Sequence, residues 1–168
     1  MIALAALFLF VGLLLYAAAS DVASLTIPNW LCIALAAAFP IAALLTSVPL
    51  SQLGMHALFG FAVLAVGFFL FQANILGGGD AKLLAAVAVW TGYPAFLPFL
   101  FWMAVSGGIL AASLLAARQV MKQTETNPPF VNRLLKEQNG IPYGVAIMIG
   151  GLACAPQIPI LSSALTLP

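Results

Sequence analysis

Charge is what this chain has least of. Only 5% of its 168 residues are charged, five basic and four acidic, and it has a single histidine. An ordinary soluble domain carries about 25% charged residues. A chain that is 64% hydrophobic, with a mean hydropathy of +1.17, has too little polarity to cover a water-facing surface. That excludes a soluble globular domain and points to an integral membrane protein, with the lipid bilayer as its solvent. The formal net charge is +1 and no basic patch is interleaved with aromatics, so no nucleic-acid partner is indicated. Cysteine is nearly absent as well. Cys32 and Cys154 both lie inside apolar runs, where a free cysteine packs as a small hydrophobe. Without a Cys-x-x-Cys pair a zinc module lacks its ligands. His56 has no ligand partners nearby in the sequence and reads as interfacial or packed. No metal and no other cofactor is expected.

What the chain does have is a series of apolar runs. Six helices of about 20 residues with short loops would take up nearly the whole length. The expected fold class is therefore an all-α integral membrane protein of about six transmembrane helices, a single domain over residues 1–168. The first run, Ile2 to Ala19, has no basic residue ahead of it and reads as a retained span rather than a signal sequence. It ends at Asp21. Ile27-Pro28-Asn29 reads as the entry to a second span, about Trp30 to Leu45, which Pro40 is expected to kink. Thr46 to Gly54 is a turn, and the third span runs from about Met55 to Leu76. The fourth run, Ala81 to Gly92, would cover only about 18 Å of a ~30 Å hydrocarbon layer. Either Tyr93-Pro94 continues it, or it begins inside the membrane, with Asp80 recessed on non-helical glycine backbone. The fifth span, Phe96 to Ala117, and the sixth, Tyr143 to Ala155, carry Ser106-Gly107-Gly108 and Gly150-Gly151, small residues that permit close helix approach.

Between them lies the one polar stretch, residues 118–142, with Arg118, Lys122, Glu125, Arg133, Lys136 and Glu137; Asn127-Pro128-Pro129 should break any helix there. With six crossings, the ends of the first, third and fifth spans share one side. That side then holds every Asp, Glu, Lys and Arg of the chain. Lys and Arg mark the cytoplasmic face, so residues 118–142 form a cytoplasmic loop and both termini lie outside. The loop reads as a topology determinant or as a gate for substrate.

The two aspartates, Asp21 and Asp80, fall on that same side at the ends of apolar runs. Ionisable groups at such positions mark function by default. The bland alternative pairs Asp80 with Lys82, or Asp21 with Arg118. Two carboxylates a few ångströms apart cannot both ionise cheaply, so they share a proton and titrate as a unit. One then acts as general base on a water while the other polarises a scissile carbonyl. Ser20, Ser24 and Ser106 have no nearby histidine, so serine proteolysis fits poorly. The glycines before Asp80 would allow left-handed backbone and close approach of an extended peptide.

Gly77-Gly78-Gly79-Asp80-Ala81-Lys82-Leu83 resembles the Gly-x-Gly-Asp signature of membrane aspartyl proteases. Together with Asp21 and the following Ile27-Pro28-Asn29, it makes the chain similar to the type IV prepilin peptidase family. Ile141-Pro142-Tyr143-Gly144 also resembles the entry to that family's last helix. The resemblance implies a bacterial inner-membrane endopeptidase, with prepilins or pseudopilins as partners, that removes their short leader at the cytoplasmic face. It makes Asp21 and Asp80 the catalytic pair, with Gly77, Gly79, Lys82, Pro28 and Asn29 as supporting motif residues. The chain lacks the tetracysteine insert of larger members. It therefore resembles the short peptidase-only form of tight-adherence (Flp) pilus systems, without N-methyltransferase activity. Lys82 would support Asp80, meet an acidic group of the pilin, or simply snorkel to the interface. Two other classes compete. A small transporter would use the same aspartates as a proton or cation site beside broken helices, and a non-catalytic scaffold would need neither.

Overall fold

The computed structural model describes residues 1–121, 123–136 and 139–165, and among these there is helix but no strand. Helix α1 spans Ile2–Ser24, α2 Asn29–Leu45, α3 Leu50–Gln72 and α4 Gly78–Val120. A short α5, Pro129–Leu135, precedes α6, Tyr143–Cys154, a 3-10 turn at Ala155–Gln157, and α7, Pro159–Leu165. Helices α1, α3 and α4 are long and apolar enough to cross a membrane; the pair Tyr143–Gln157 and Pro159–Leu165, bent by 76°, makes a fourth candidate if it is one span.

Helix α4 has 43 residues, about 65 Å at 1.5 Å per residue and twice the hydrocarbon thickness. It is two segments joined at Gly92, whose φ of 55° and ψ of −174° interrupt the helix. The contacts show that the chain doubles back there. Along the first segment, Lys82 meets Asn29 at the start of α2, and Trp90 meets Leu35 further along it. Along the second, Gly150 of α6 faces Phe99, Tyr143 faces Gly107, and Arg118 reaches the chain just before α6. The expected division between a fourth and a fifth span thus falls at Gly92. Pro94, in the first turn of the second segment, lacks an N–H that such a position does not use.

The break is held by His56. Its Nδ1 lies 2.8 Å from the carbonyl of Val89, and its ring stacks on Phe39 at 4.7 Å. This is the packed histidine expected from the sequence, at the end of the molecule away from the aspartates. A Cβ on Gly92 would sit 2.7 Å from His56 Cε1, in a backbone region that only glycine occupies freely. Gly92→Ala should therefore cost roughly 2–4 kcal/mol from strain and overpacking. Thermal melting in detergent measures it, and an unchanged melting temperature would contradict the account.

Packing is close because the helices are thin where they meet. Gly60 faces Val89, Gly67 faces Ala81, and Gly151 faces Leu14 and Phe10. In a lipid environment such contacts supply the association energy that water would supply elsewhere. Trp90, fully buried between Phe10 and Phe39, donates from its indole N–H to the Leu35 carbonyl at 2.8 Å. Cys32 and Cys154 are buried and free.

Several boundaries differ from expectation. Helix α1 runs one turn past Asp21, through Val22, Ala23 and Ser24. It is closed by Leu25 in left-handed conformation (φ 54°), whose N–H donates to the Asp21 carbonyl at 2.7 Å. Helix α3 begins at Leu50 rather than Met55 and ends at Gln72 rather than Leu76. The expected polar loop is partly helical: α4 persists to Val120, and Pro129 opens α5 instead of only breaking a helix. Lys122 and Glu137 lie outside the described residues. Pro40 sits inside α2.

Candidate active site

Three helix ends and one turn converge at the end of the bundle opposite His56. Asp21 sits in the last turn of α1, Asp80 in the first turn of α4, and Gly144 in the first turn of α6. The segment from α1 to α2 closes the group. Ser20 Oγ donates to the Thr26 carbonyl at 2.8 Å, Ser24 Oγ lies 2.6 Å from Thr26 Oγ1, and Ile27 is buried. Pro28 caps α2 in extended conformation, with Asn29 as its first residue.

Asp21 and Asp80 come together. Both line one cavity of about 230 Å³, whose wall also includes Leu25, Thr26, Ile27, Asn29, Gly77, Gly78 and Gly79. Asp21 is only 5% exposed, while Asp80 is half-buried and open to the cavity. A carboxyl group withdrawn from water needs a partner; the Gly144 backbone N–H supplies it, donating to Asp21 Oδ2 at 2.7 Å. Asp80 accepts no side-chain hydrogen bond from the described residues. The pair is thus asymmetric, one carboxyl anchored and one free.

The glycines do not act through backbone freedom. Gly78 and Gly79 are helical and Gly77 is an ordinary extended N-cap (φ −67°, ψ 143°), so Asp80 stands on helical backbone, not on the non-helical glycine segment that one of the two readings of the fourth run implied. Their role is room. A Cβ on Gly77 would lie 2.6 Å from Asp80 Oδ2, one on Gly79 3.2 Å from Ile27 Cβ, and one on Gly78 3.3 Å from the Phe71 ring.

The bland pairings are not what the described residues form. Lys82 Nζ donates to Asn29 Oδ1 at 2.8 Å, tying the start of α4 to the start of α2. Arg118 donates from Nε to the Leu134 carbonyl at 2.9 Å, and from its terminal nitrogen to the carbonyls of Asn139 and Gly140 at 2.9 and 3.3 Å. Arg133 donates to the Ala23 carbonyl. The two arginines therefore fasten the polar segment under the ends of α1 and α4. No cluster of three or more His, Cys, Asp or Glu that could hold a metal occurs among the described residues.

Beside the cavity, an apolar groove of about 560 Å³ opens between α2, α3 and the first segment of α4. Asn29 and Lys82 stand at its head, and Cys32, Ala36, Gly60 and Phe61 are among its lining residues. Asn29 belongs to both spaces. Gly144 is the site residue that sequence reasoning did not assign; the Ile141-Pro142-Tyr143-Gly144 motif was its only signal.

Comparison with curated proteins finds no match, and comparison with solved structures finds none. Residues 8–112 do match the sequence model of one family, a stretch that holds both aspartates and Gly77–Gly79 and stops short of α6. With well over half of its length matched, the chain belongs to the type IV leader peptidase family.

Proposed function

We propose that this protein is an aspartic-type endopeptidase of the inner membrane that removes the leader from type IV prepilins or pseudopilins, with Asp21 and Asp80 as its catalytic pair. The observation that carries the reading is the meeting of the chain's only two aspartates in one cavity, one anchored and one free. Family membership supplies the class, a leader peptidase acting on pilin precursors.

The chemistry follows from two carboxyl groups that hold one proton between them. The ionised member takes a proton from a water as its oxygen bonds to the scissile carbonyl carbon. The protonated member donates to the carbonyl oxygen, and the amine leaves with a proton as the C–N bond breaks. The adjoining groove gives an apolar segment of the substrate a seat next to the cavity. Gly77 and Gly79 give Asp80 and Ile27 their room, Asn29 and Lys82 hold the starts of α2 and α4 together, and Pro28 caps α2. The full chain forms one domain of six crossings, counting the two segments of α4 separately, with residues 118–142 cytoplasmic and both termini outside. Arg118 and Arg133 at the aspartate end support that orientation.

The test is leader removal from a co-expressed prepilin, scored by gel shift, for wild type, Asp21→Asn and Asp80→Asn. Cleavage by wild type alone is expected; near-normal cleavage by either variant removes the dyad. Orientation has its own check. A reporter that is active only outside the cytoplasm, fused after Pro168, should be active, and an inactive fusion present at normal level would break the six-crossing count.

A further inference from the structure

The Gly144 amide comes from a residue 123 positions after Asp21, and it is the donor that meets a buried carboxyl group. Glycine is otherwise a poor choice there, since in a helix it costs about 1 kcal/mol relative to alanine. Space explains it. A Cβ at position 144 would fall 2.9 Å from both Asp21 Cβ and Asp21 Oδ2, closer than carbon and oxygen atoms can approach without displacement. The start of α6 is in turn set from the other side, where Arg118 grips the carbonyls of Asn139 and Gly140. Pro142, the cap of α6, is buried.

We propose that Gly144 is the positioning residue of the site: its N–H holds Asp21 Oδ2 and its missing side chain lets the carboxyl group lie against α6. The proposal builds on the leader-peptidase reading and adds to it a third helix end, beyond the residues that match the family. It also divides the work between the two oxygens of Asp21. An oxygen that accepts an amide N–H is the less basic of the two, which favours Asp21 Oδ1 or Asp80 as the seat of the shared proton. The hydrogen bond restrains rotation of the Asp21 carboxyl and leaves Oδ1 as the oxygen available to a water.

Because the chain has only two aspartates, full-length protein labelled with carboxyl-13C aspartate gives two side-chain resonances, assigned with Asp21→Asn and Asp80→Asn. Gly144→Ala should move the Asp21 resonance and lower leader cleavage per folded molecule about 100-fold, the usual penalty for a displacement near 1 Å. Gly151→Ala is the control. Also in α6, it crowds Leu14 Cδ1 of α1 at 2.7 Å but touches no aspartate; its overpacking cost of about 1–3 kcal/mol falls on stability, so the resonance should stay in place and cleavage per folded molecule within about threefold of wild type. An unmoved Asp21 resonance in Gly144→Ala, or equal losses of cleavage in the two glycine variants, overturns the proposal. If Gly144→Ala does not fold, 15N-glycine labelling of the otherwise native chain decides it. The Gly144 amide signal should shift in Asp21→Asn by far more than in Asp80→Asn, and equal shifts overturn the assignment. If wild type cleaves no prepilin, the peptidase reading falls while the resonance comparison still decides the role of Gly144.

Discussion

Asp21→Asn and Asp80→Asn are each expected to slow leader removal by roughly 10³-fold or more, since a positioned acid or base contributes about 10²–10⁴-fold and groups acting as a unit fail together. Asparagine has the shape of aspartate but neither takes up nor releases the proton, so the substitution separates chemistry from folding. At position 21 the amide oxygen can still accept the Gly144 N–H, which preserves the hydrogen bond that the buried side chain makes among the described residues. At position 80 there is no such bond to lose among the described residues. Both variants should accumulate in the membrane at wild-type level and melt within a few degrees of it. The double variant should be no slower than the worse single one. Losses that multiply would mean that the two aspartates act in separate steps, and the shared-proton account would have to go.

Gly77→Ala should lower kcat about 100-fold while the protein stays folded. The added Cβ would overlap Asp80 Oδ2 at 2.6 Å. That contact is relieved by rotating the half-buried Asp80 carboxyl group within the cavity, which moves no backbone and leaves the α4 cap in its ordinary extended conformation. Stability should therefore change by less than about 1 kcal/mol, the scale of a single adjusted rotamer. The rotated carboxyl no longer faces Asp21, and misplacement by about 1 Å costs on the order of 10²-fold in rate. KM should stay within about twofold, because the apolar groove and its Asn29–Lys82 head are untouched. Purified enzyme with a prepilin peptide, assayed across substrate concentration, makes the separation. A loss confined to KM would place Gly77 in substrate binding instead.

Much of this was legible before the structure. Scarcity of charge drew attention to Asp21 and Asp80, and hydropathy marked most of the apolar helices. The packed character of His56, Cys32 and Cys154 followed from their surroundings in the chain. What was not legible has a common physical origin in groups that a residue's type does not report. The extra turn of α1 depends on Leu25 taking a left-handed conformation, which leucine does not signal. The need for glycine at 77 and 79 arises from atoms of Asp80 and Ile27 that approach through space, not from a dihedral angle. The reversal at Gly92 looked like a shortage of helix length because the turn is a single residue. Gly144 contributes a backbone N–H, which every residue except proline possesses, so only its placement could reveal it.

The hydrogen bond that spans 123 positions also sets a schedule for synthesis. Both aspartates, on the first helix and at the start of the fourth, leave the ribosome before α6 does. Until it docks, Asp21 lacks its donor. A half-made chain therefore carries both aspartates without the Gly144 amide, and on the proposed reading leader cleavage awaits the docking of α6.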